Sequence, residues 1–150
     1  MMHSVFEHYI LGEQAYTQMV TPVCEKHGMT YAEMTVLLFL ANNPALDTAS
    51  DIAKCRNLAK SHVSLSVRSL EERGLITKEY RGSDRRSVHL CLTEKASSIV
   101  KDGREAQATF IEMLFDGVSY EERKVMNEIL KRIDRNVEAY VKGAEKHHAG

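Results

Sequence analysis

The spacing of apolar residues changes near residue 75 from a helical period to a period of two, and later changes back. On both sides of this region, apolar residues recur every three or four positions, as on one face of a helix. The stretches LITKEY at 75–80 and SVHLCL at 87–92 alternate instead, which is typical of strands with one buried face. The link RGSDRR at 81–86 contains a glycine suited to a turn. The sequence therefore predicts one hairpin within an otherwise helical chain.

Six helices are predicted around the hairpin, and the low counts of proline and glycine, 2 and 8, favour long ones. Thr30 followed by Glu33 predicts a capping box, and Gly74 suits the left-handed conformation that follows a helix. Thr93 is expected to cap the fifth helix, and Pro22 to bend or restart the first. The predicted helices run from Val5 to about Lys26, from Thr30 to Leu40, from Thr48 or Ser50 through Ala53, from Lys60 to Arg73, from about Glu94 to Phe115, and from Ser119 through Tyr140.

Composition and residue patterns exclude several classes of protein. No run of about 18 apolar residues could span a bilayer and the N-terminus lacks a signal-peptide pattern, so a cytoplasmic protein without a membrane partner is expected. The three cysteines are widely spaced and predict reduced thiols rather than a disulfide framework or a zinc knuckle. No nucleophile, base and orienting group stand together, and no glycine-rich phosphate loop or ligand cluster is found. The sequence predicts no enzyme, no cofactor and no metal site.

The charge is unevenly distributed along the chain, although the net charge is only -1. Residues 47–95 contain ten Lys and Arg against seven Asp and Glu, whereas the rest of the chain contains ten against fourteen. A basic centre between acidic segments is typical of a phosphate-binding surface on an otherwise soluble protein. The region around the hairpin is therefore the candidate for binding nucleic acid.

A short helix, a turn, a second helix and a hairpin, in this order, form a winged helix-turn-helix. Three motifs of this region resemble the MarR family of bacterial transcription regulators: LEERGLI at 70–76, DRR at 84–86 and LTEK at 92–95. The segment MTYAEMTVLLFL at 29–40 is also similar to the second helix of that family. The resemblance covers nearly the whole chain.

The resemblance implies a mainly α (α+β) fold, a winged helix-turn-helix with long N- and C-terminal dimerisation helices. One MarR-like domain would span 1–150, with the winged helix-turn-helix at about 30–95 and the dimerisation helices at about 4–27 and 94–142. The implied function is a homodimeric regulator of a pseudo-palindromic operator in double-stranded DNA, a repressor released by a small-molecule effector whose identity stays open. Apolar stripes on the terminal helices independently favour a partner chain.

Candidate DNA-binding residues follow from the predicted recognition helix, the second helix of the helix-turn-helix. Arg68 has the donors for a guanine edge, Leu65 suits a thymine methyl, and Ser61 suits a base or a phosphate. The remaining candidates are polar or basic and suit phosphate, and His62 also suits a base. The set comprises Arg56, Lys60, Ser61, His62, Ser64, Leu65 and Arg68.

Two positions of the recognition helix depart from the family pattern. Ala59 stands where many members have a capping serine, so Asn57 or Ser61 is expected to cap the helix instead. Leu65 stands where a basic residue is common, which leaves open which bases are contacted.

The wing supplies four further candidates, Arg81, Asp84, Arg85 and Arg86. An arginine at a hairpin tip suits the narrow minor groove, where the negative potential is enhanced. By the family pattern Arg86 is the first choice for this insertion and Arg85 the second, with Asp84 orienting Arg86 through a charge-assisted hydrogen bond.

Two alternative functions stay open on the same fold. One is a thiol-based redox-responsive regulator, with Cys24 or Cys55 as the reactive thiol and Cys91 as a less favoured third. The other is a winged-helix module that binds a protein partner through the face around Leu65 and has no operator.

Overall fold

The computed structural model describes residues 2–81 and 87–148, with side chains described for 9–81 and 87–143. It confirms a mainly α chain with one small antiparallel sheet, and the predicted order of the elements holds. Within the described ranges, no helix is both long and apolar enough to cross a membrane. The elements are α1 Met2–Lys26, α2 Tyr31–Asn42, α3 Ala49–Arg56, α4 Lys60–Glu72, β1 Ile76–Tyr80, β2 Val88–Leu92, a 3-10 turn Glu94–Ala96, α5 Ser97–Leu114 and α6 Tyr120–His148.

Capping boxes begin α2, as the sequence predicts, and α3, where the sequence left the cap open between Thr48 and Ser50. The Thr30 hydroxyl accepts the Glu33 amide hydrogen at 3.1 Å, and the Glu33 carboxylate accepts the Thr30 amide at 2.9 Å. Thr48 and Asp51 make the same pair of contacts at the start of α3, both at 3.1 Å, which selects Thr48 over Ser50 as the cap. Each box satisfies amide donors that have no partner within the helix, a contribution of about 1 kcal/mol to stability.

Two local predictions differ from the structure, and one of the two alternatives for Pro22 is excluded. Pro22 lies inside α1, which is assigned as one helix through Lys26, so the helix does not restart there. Thr93 makes no cap hydrogen bond, because its hydroxyl donates to the carbonyl of Gly74 at 2.7 Å and the chain enters α5 through the 3-10 turn. Ala59 is itself the N-cap of α4, without a side-chain bond.

The turn between α3 and α4 depends on Asn57, which ends α3 instead of capping α4. Its φ of 50° lies in the left-handed region, where asparagine is tolerated better than most residues. Its amide donates back to the last turn of α3. This sharp stop allows α4 to begin three residues later, as a helix-turn-helix requires.

The wing strands pair in antiparallel register, with Ile76 opposite Leu92 and Tyr80 opposite Val88. Ile76 and Leu90 are buried, while the other residues of β1 are exposed. The hairpin therefore packs its base against the core, and the far end of β1 stands away from it.

The structure divides into two compact units, Met1–Ile111 and Glu112–Gly150. The first unit contains the winged helix-turn-helix, and its core is built on side chains of α2, α4 and β1 that are fully buried, such as Leu37, Leu70 and Ile76. Truncating a buried leucine of this kind to alanine costs about 2–5 kcal/mol of unfolding free energy. The second unit contains α6, which begins at a third capping box formed by Ser119 and Glu122.

Candidate nucleic-acid interface

Helix α4 is amphipathic, and its outward face carries most of the predicted DNA-binding residues. Val63, Val67 and Leu70 are buried on its inner face, as the helical spacing predicts. All outward positions singled out from the sequence are exposed, and Leu65 is 67% exposed. The exposed set on α4 is Lys60, Ser61, His62, Ser64, Leu65 and Arg68. The face thus offers cations, hydroxyls and one apolar side chain. Leu65 is left largely exposed to solvent in the folded chain.

Polar contacts at the C-terminal half of α4 fix the helix against the start of α2. The Ser69 hydroxyl donates a short hydrogen bond to the buried Glu33 carboxylate. The Arg73 guanidinium donates to the carbonyls of His27 at 2.8 Å and Gly28 at 3.0 Å, and lies 3.6 Å from Glu33. Buried polar groups of this kind are costly to leave unpaired, so the contacts define one orientation of α4.

Arg68 and Arg56 differ in how they are held. The Arg68 Nε donates to Glu72 Oε1 at 3.1 Å, and both side chains are largely exposed. An exposed pair of this kind contributes only about 0–1 kcal/mol, so Arg68 can exchange its partner for another acceptor at little cost. Arg56, on α3, lies with its guanidinium 5.4 Å from the centre of the Phe39 ring, which orients it by a cation–π contact.

The wing is attached to the loop before α3 through one carboxylate. Asp47 Oδ2 lies 2.9 Å from Arg81 Nη1, and Asp47 Oδ1 accepts a 2.6 Å hydrogen bond from His89 Nδ1. Burial raises the pKa of Asp47, but the His89 hydrogen bond and the Arg81 charge outweigh it and hold this pKa below its ordinary value. Asp47 is therefore ionised at neutral pH, and Arg81, 55% exposed, is paired as well as accessible.

The wing tip at 82–86 lies outside the described residues. The predictions for Asp84, Arg85 and Arg86 fall on this segment and stay predictions. Arg81 and Ser87, the described residues on either side of the tip, are both exposed.

The three cysteines differ in environment. Cys24 is buried, Cys55 is exposed and Cys91 is partly buried. Burial raises the pKa of the Cys24 thiol, and burial together with the neighbouring Glu79 raises the pKa of Cys91 despite Arg81. Among the described residues, no group of three or more His, Cys, Asp or Glu is placed to hold a metal ion. His27, close in sequence to Cys24, bonds Asp102 on α5 at 2.7 Å instead.

Sequence analysis missed Asp47 and His89. The two residues are 42 positions apart, and nothing in the local pattern of either connects them. His89 stands between Val88 and Leu90 in a strand of alternating pattern. This pattern predicts only that the His89 side chain lies on the face opposite to Val88 and Leu90. The sequence does show that Asp47 directly precedes Thr48, the N-cap of α3. This position places Asp47 at the start of α3 and says nothing of its contact with the wing.

Comparisons with known proteins agree with this architecture. Residues 27–87, which contain α2, α3, α4 and β1, match the model of the MarR family. The HTH-type transcriptional regulator YdgJ of Bacillus subtilis is 23% identical over 114 residues, 76% of this chain and 68% of YdgJ.

Solved structures share the fold over most of the chain. The transcriptional regulator PA3341 superposes with a TM-score of 0.78 at 22% identity, covering 93% of this chain and 99% of that one. BpsR of Bordetella bronchiseptica superposes with a TM-score of 0.66 at 19% identity, covering 87% of this chain and 98% of that one. The DNA binding of BpsR is regulated by 6-hydroxynicotinic acid. YdgJ and PA3341 are transcriptional regulators. The family match lies on the helix-turn-helix and the first wing strand described above, and over these residues the chain is similar to the MarR family of transcriptional regulators.

Proposed function

We propose that the protein is a homodimeric repressor that binds a pseudo-palindromic operator with two α4 helices in adjacent major grooves and two wings alongside. The observation that carries this proposal is the exposed face of α4, which presents the cations Lys60 and Arg68, the hydroxyls of Ser61 and Ser64, the imidazole of His62 and the apolar Leu65. A dimer axis would set the two half-sites about 34 Å apart, one turn of the double helix.

The contacts divide into two classes by chemistry. Arg68 can leave its exposed Glu72 partner for the O6 and N7 atoms of guanine, and Leu65 suits a thymine methyl. Lys60 and Arg56 suit phosphates, which position the protein without selecting a sequence. At the wing, Arg81 suits a backbone phosphate and Arg86 the minor groove. Of the other predicted residues, Ser61 and His62 suit a base or a phosphate and Ser64 suits a phosphate. Asp84 is proposed to orient Arg86, and Arg85 is the second choice for the minor groove.

Apolar side chains left exposed on the long terminal helices support the homodimer. On α6, Val125, Ile129 and Ile133 are 58%, 50% and 48% exposed at intervals of four residues, which forms one stripe. On α1, Tyr9, Ile10 and Leu11 are also exposed. A protein in water rarely leaves an apolar stripe such as that on α6 exposed, so we expect a second copy of the chain to cover it by symmetry.

Release by a small molecule is the regulatory part of the proposal. It is supported by BpsR, whose DNA binding is regulated by 6-hydroxynicotinic acid and which shares the fold. An effector can dissociate the complex only if it binds more tightly to a dimer geometry that does not fit the operator. A cytoplasmic location follows from this role.

Fluorescence anisotropy with DNA from upstream of the protein's own gene tests the DNA-binding proposal. We expect preference for a palindromic segment over scrambled DNA, and a roughly thousandfold loss of affinity when salt rises from about 50 to 200 mM, because bound phosphates release counterions. Binding without salt dependence or sequence preference would favour a protein-interaction module instead.

Two variants separate base contacts from phosphate contacts. Lys60→Ala should weaken binding to all sequences and reduce the slope of log affinity against log salt by about one. Arg68→Ala should lower operator affinity about tenfold or more and relax the preference at one base pair. Lys101→Ala, which removes an exposed cation from α5, is the matched control and should change neither.

A further inference from the structure

We infer that Asp47 is a positioning residue of the DNA-binding surface, holding the wing and Arg81 in the arrangement that fits the operator. The inference deepens the proposed function and rests on it. Asp47 itself is not assigned a DNA contact. It acts through two residues on the two arms of the wing hairpin, Arg81 directly after β1 and His89 on β2.

The backbone around Asp47 connects the loop before α3 to β2. The Leu90 amide donates to the Asp47 carbonyl at 2.7 Å, and Thr48 forms an isolated antiparallel bridge with His89. The loop before α3 thus lies alongside β2 as a short third strand. This contact connects the wing to the first helix of the helix-turn-helix, because Thr48 is also the cap of α3.

The side chain of Asp47 extends this contact to the other strand. Its two carboxylate oxygens have different partners, His89 on β2 at 2.6 Å and Arg81 just after β1 at 2.9 Å. Arg81 is the last described residue before the wing tip, and β2 begins shortly after it. One carboxylate therefore connects both arms of the hairpin to α3 close to the tip. Contacts made by charged groups are shorter and stronger than neutral hydrogen bonds, so the connection is stiff.

The burial and charge of this cluster indicate positioning rather than a direct DNA contact. The Asp47 side chain is only 13% exposed, whereas that of Arg81 is 55% exposed. A free carboxylate beside phosphates would repel them, but this one is withdrawn from solvent and neutralised by Arg81. The Arg81 guanidinium keeps an accessible side for a phosphate while one nitrogen stays fixed. Arg81 approaches DNA already oriented, so less of its side-chain entropy is lost on binding.

Asp47→Asn tests the inference, because the amide keeps the size of the side chain and removes its charge. We expect operator affinity to fall roughly tenfold, because one region of contact with DNA is misplaced. Affinity for scrambled DNA should stay equal or rise, because a negative charge is removed from the surface near the phosphates. Amide hydrogen exchange in β2 should accelerate, since the wing loses its attachment.

Glu94→Gln is the matched control, since it removes one negative charge at an exposed position shortly after β2. It should raise both affinities slightly and leave exchange in β2 unchanged. If Asp47→Asn behaves like this control, the carboxylate acts only through bulk charge and the inference is wrong. If both affinities fall in proportion to the unfolded fraction, the role is only structural and the inference is equally wrong.

His89→Ala keeps the inference testable if Asp47→Asn does not fold. It removes one of the two contacts, leaves the Asp47–Arg81 pair, and should lower operator affinity by a smaller factor than Asp47→Asn with no loss on scrambled DNA. Unchanged operator affinity in a folded His89→Ala would overturn the inference. Absence of operator preference in the wild-type protein would instead overturn the proposed function, and with it the DNA role of Asp47, even if exchange in β2 still accelerates.

Discussion

Cys24 and Cys55 differ in accessibility, one of the properties that control thiol reactivity. Cys24 is 5% exposed and burial raises the pKa of its thiol, whereas Cys55 is exposed on α3. In the folded protein near neutral pH, iodoacetamide should modify Cys55 faster than Cys24 by roughly an order of magnitude or more. Mass spectrometry of the peptides, sampled over time, measures both rates.

Denatured protein provides the control for this prediction, because both thiols should then react at similar rates. Faster modification of Cys24 in the folded state would contradict it. The result also bears on the redox-responsive alternative: an accessible thiol is required, so Cys55 is the residue to replace by serine when DNA binding is tested under oxidant.

Single residues show where sequence analysis succeeds and where it stops. The inner and outer faces of α4 follow from spacing alone, because a helix of period 3.6 places Val63, Val67 and Leu70 on one side. Asp47 could not be assigned in this way, since its role comes from Arg81 and His89, more than 30 positions away. Contacts between distant polar side chains leave no periodic trace in a sequence.

At the level of elements, helix starts were predictable where a complete local motif is present. Thr30 and Thr48 each have an acidic residue three positions on, and both form capping boxes. Thr93 has no such partner, and the carbonyl of Gly74 competes successfully for its hydroxyl. Because that carbonyl belongs to the end of the preceding helical region, 19 residues away, only the tertiary structure could reveal the outcome.

The packing of α5 against α2 depends on Gly103, although glycine has a low helix propensity. A Cβ at Gly103 would lie 2.8 Å from Cδ2 and 3.3 Å from Cγ of Leu38, which is itself buried. Gly103→Ala gains about 1 kcal/mol in helix propensity but incurs an overpacking cost of about 1–3 kcal/mol. We expect a net loss of about 1 kcal/mol in the free energy of unfolding, measured by urea denaturation.

Gly12→Ala on α1 is the control for this prediction, because a Cβ there meets nothing within 4 Å. It should raise the free energy of unfolding by about 0.5–1 kcal/mol, the ordinary effect of replacing a helical glycine. Stabilisation by both substitutions would show that Leu38 can move aside and that α5 does not need the close approach.

For the whole molecule, the proposed function requires a dimer, because two α4 helices would have to engage one operator. Helix α6 has an apolar stripe on one face and charged residues on the opposite face. A residue on each face can therefore be substituted separately within one helical turn. Ile133 is 48% exposed on the stripe, whereas Arg135 lies on the opposite face. The Ile133→Gln and Arg135→Gln variants place the same side chain on the two faces.

Ile133→Gln should raise the dimer dissociation constant about a hundredfold, because burying an unpaired amide costs about 1–3 kcal/mol and a symmetric interface contains it twice. Arg135→Gln should leave the constant nearly unchanged. Sedimentation velocity over a concentration series measures both. Operator affinity of Ile133→Gln should fall steeply at low protein concentration and recover as concentration rises, since only the dimer spans both half-sites. Equal dissociation constants for the two variants would place the dimer interface away from this stripe.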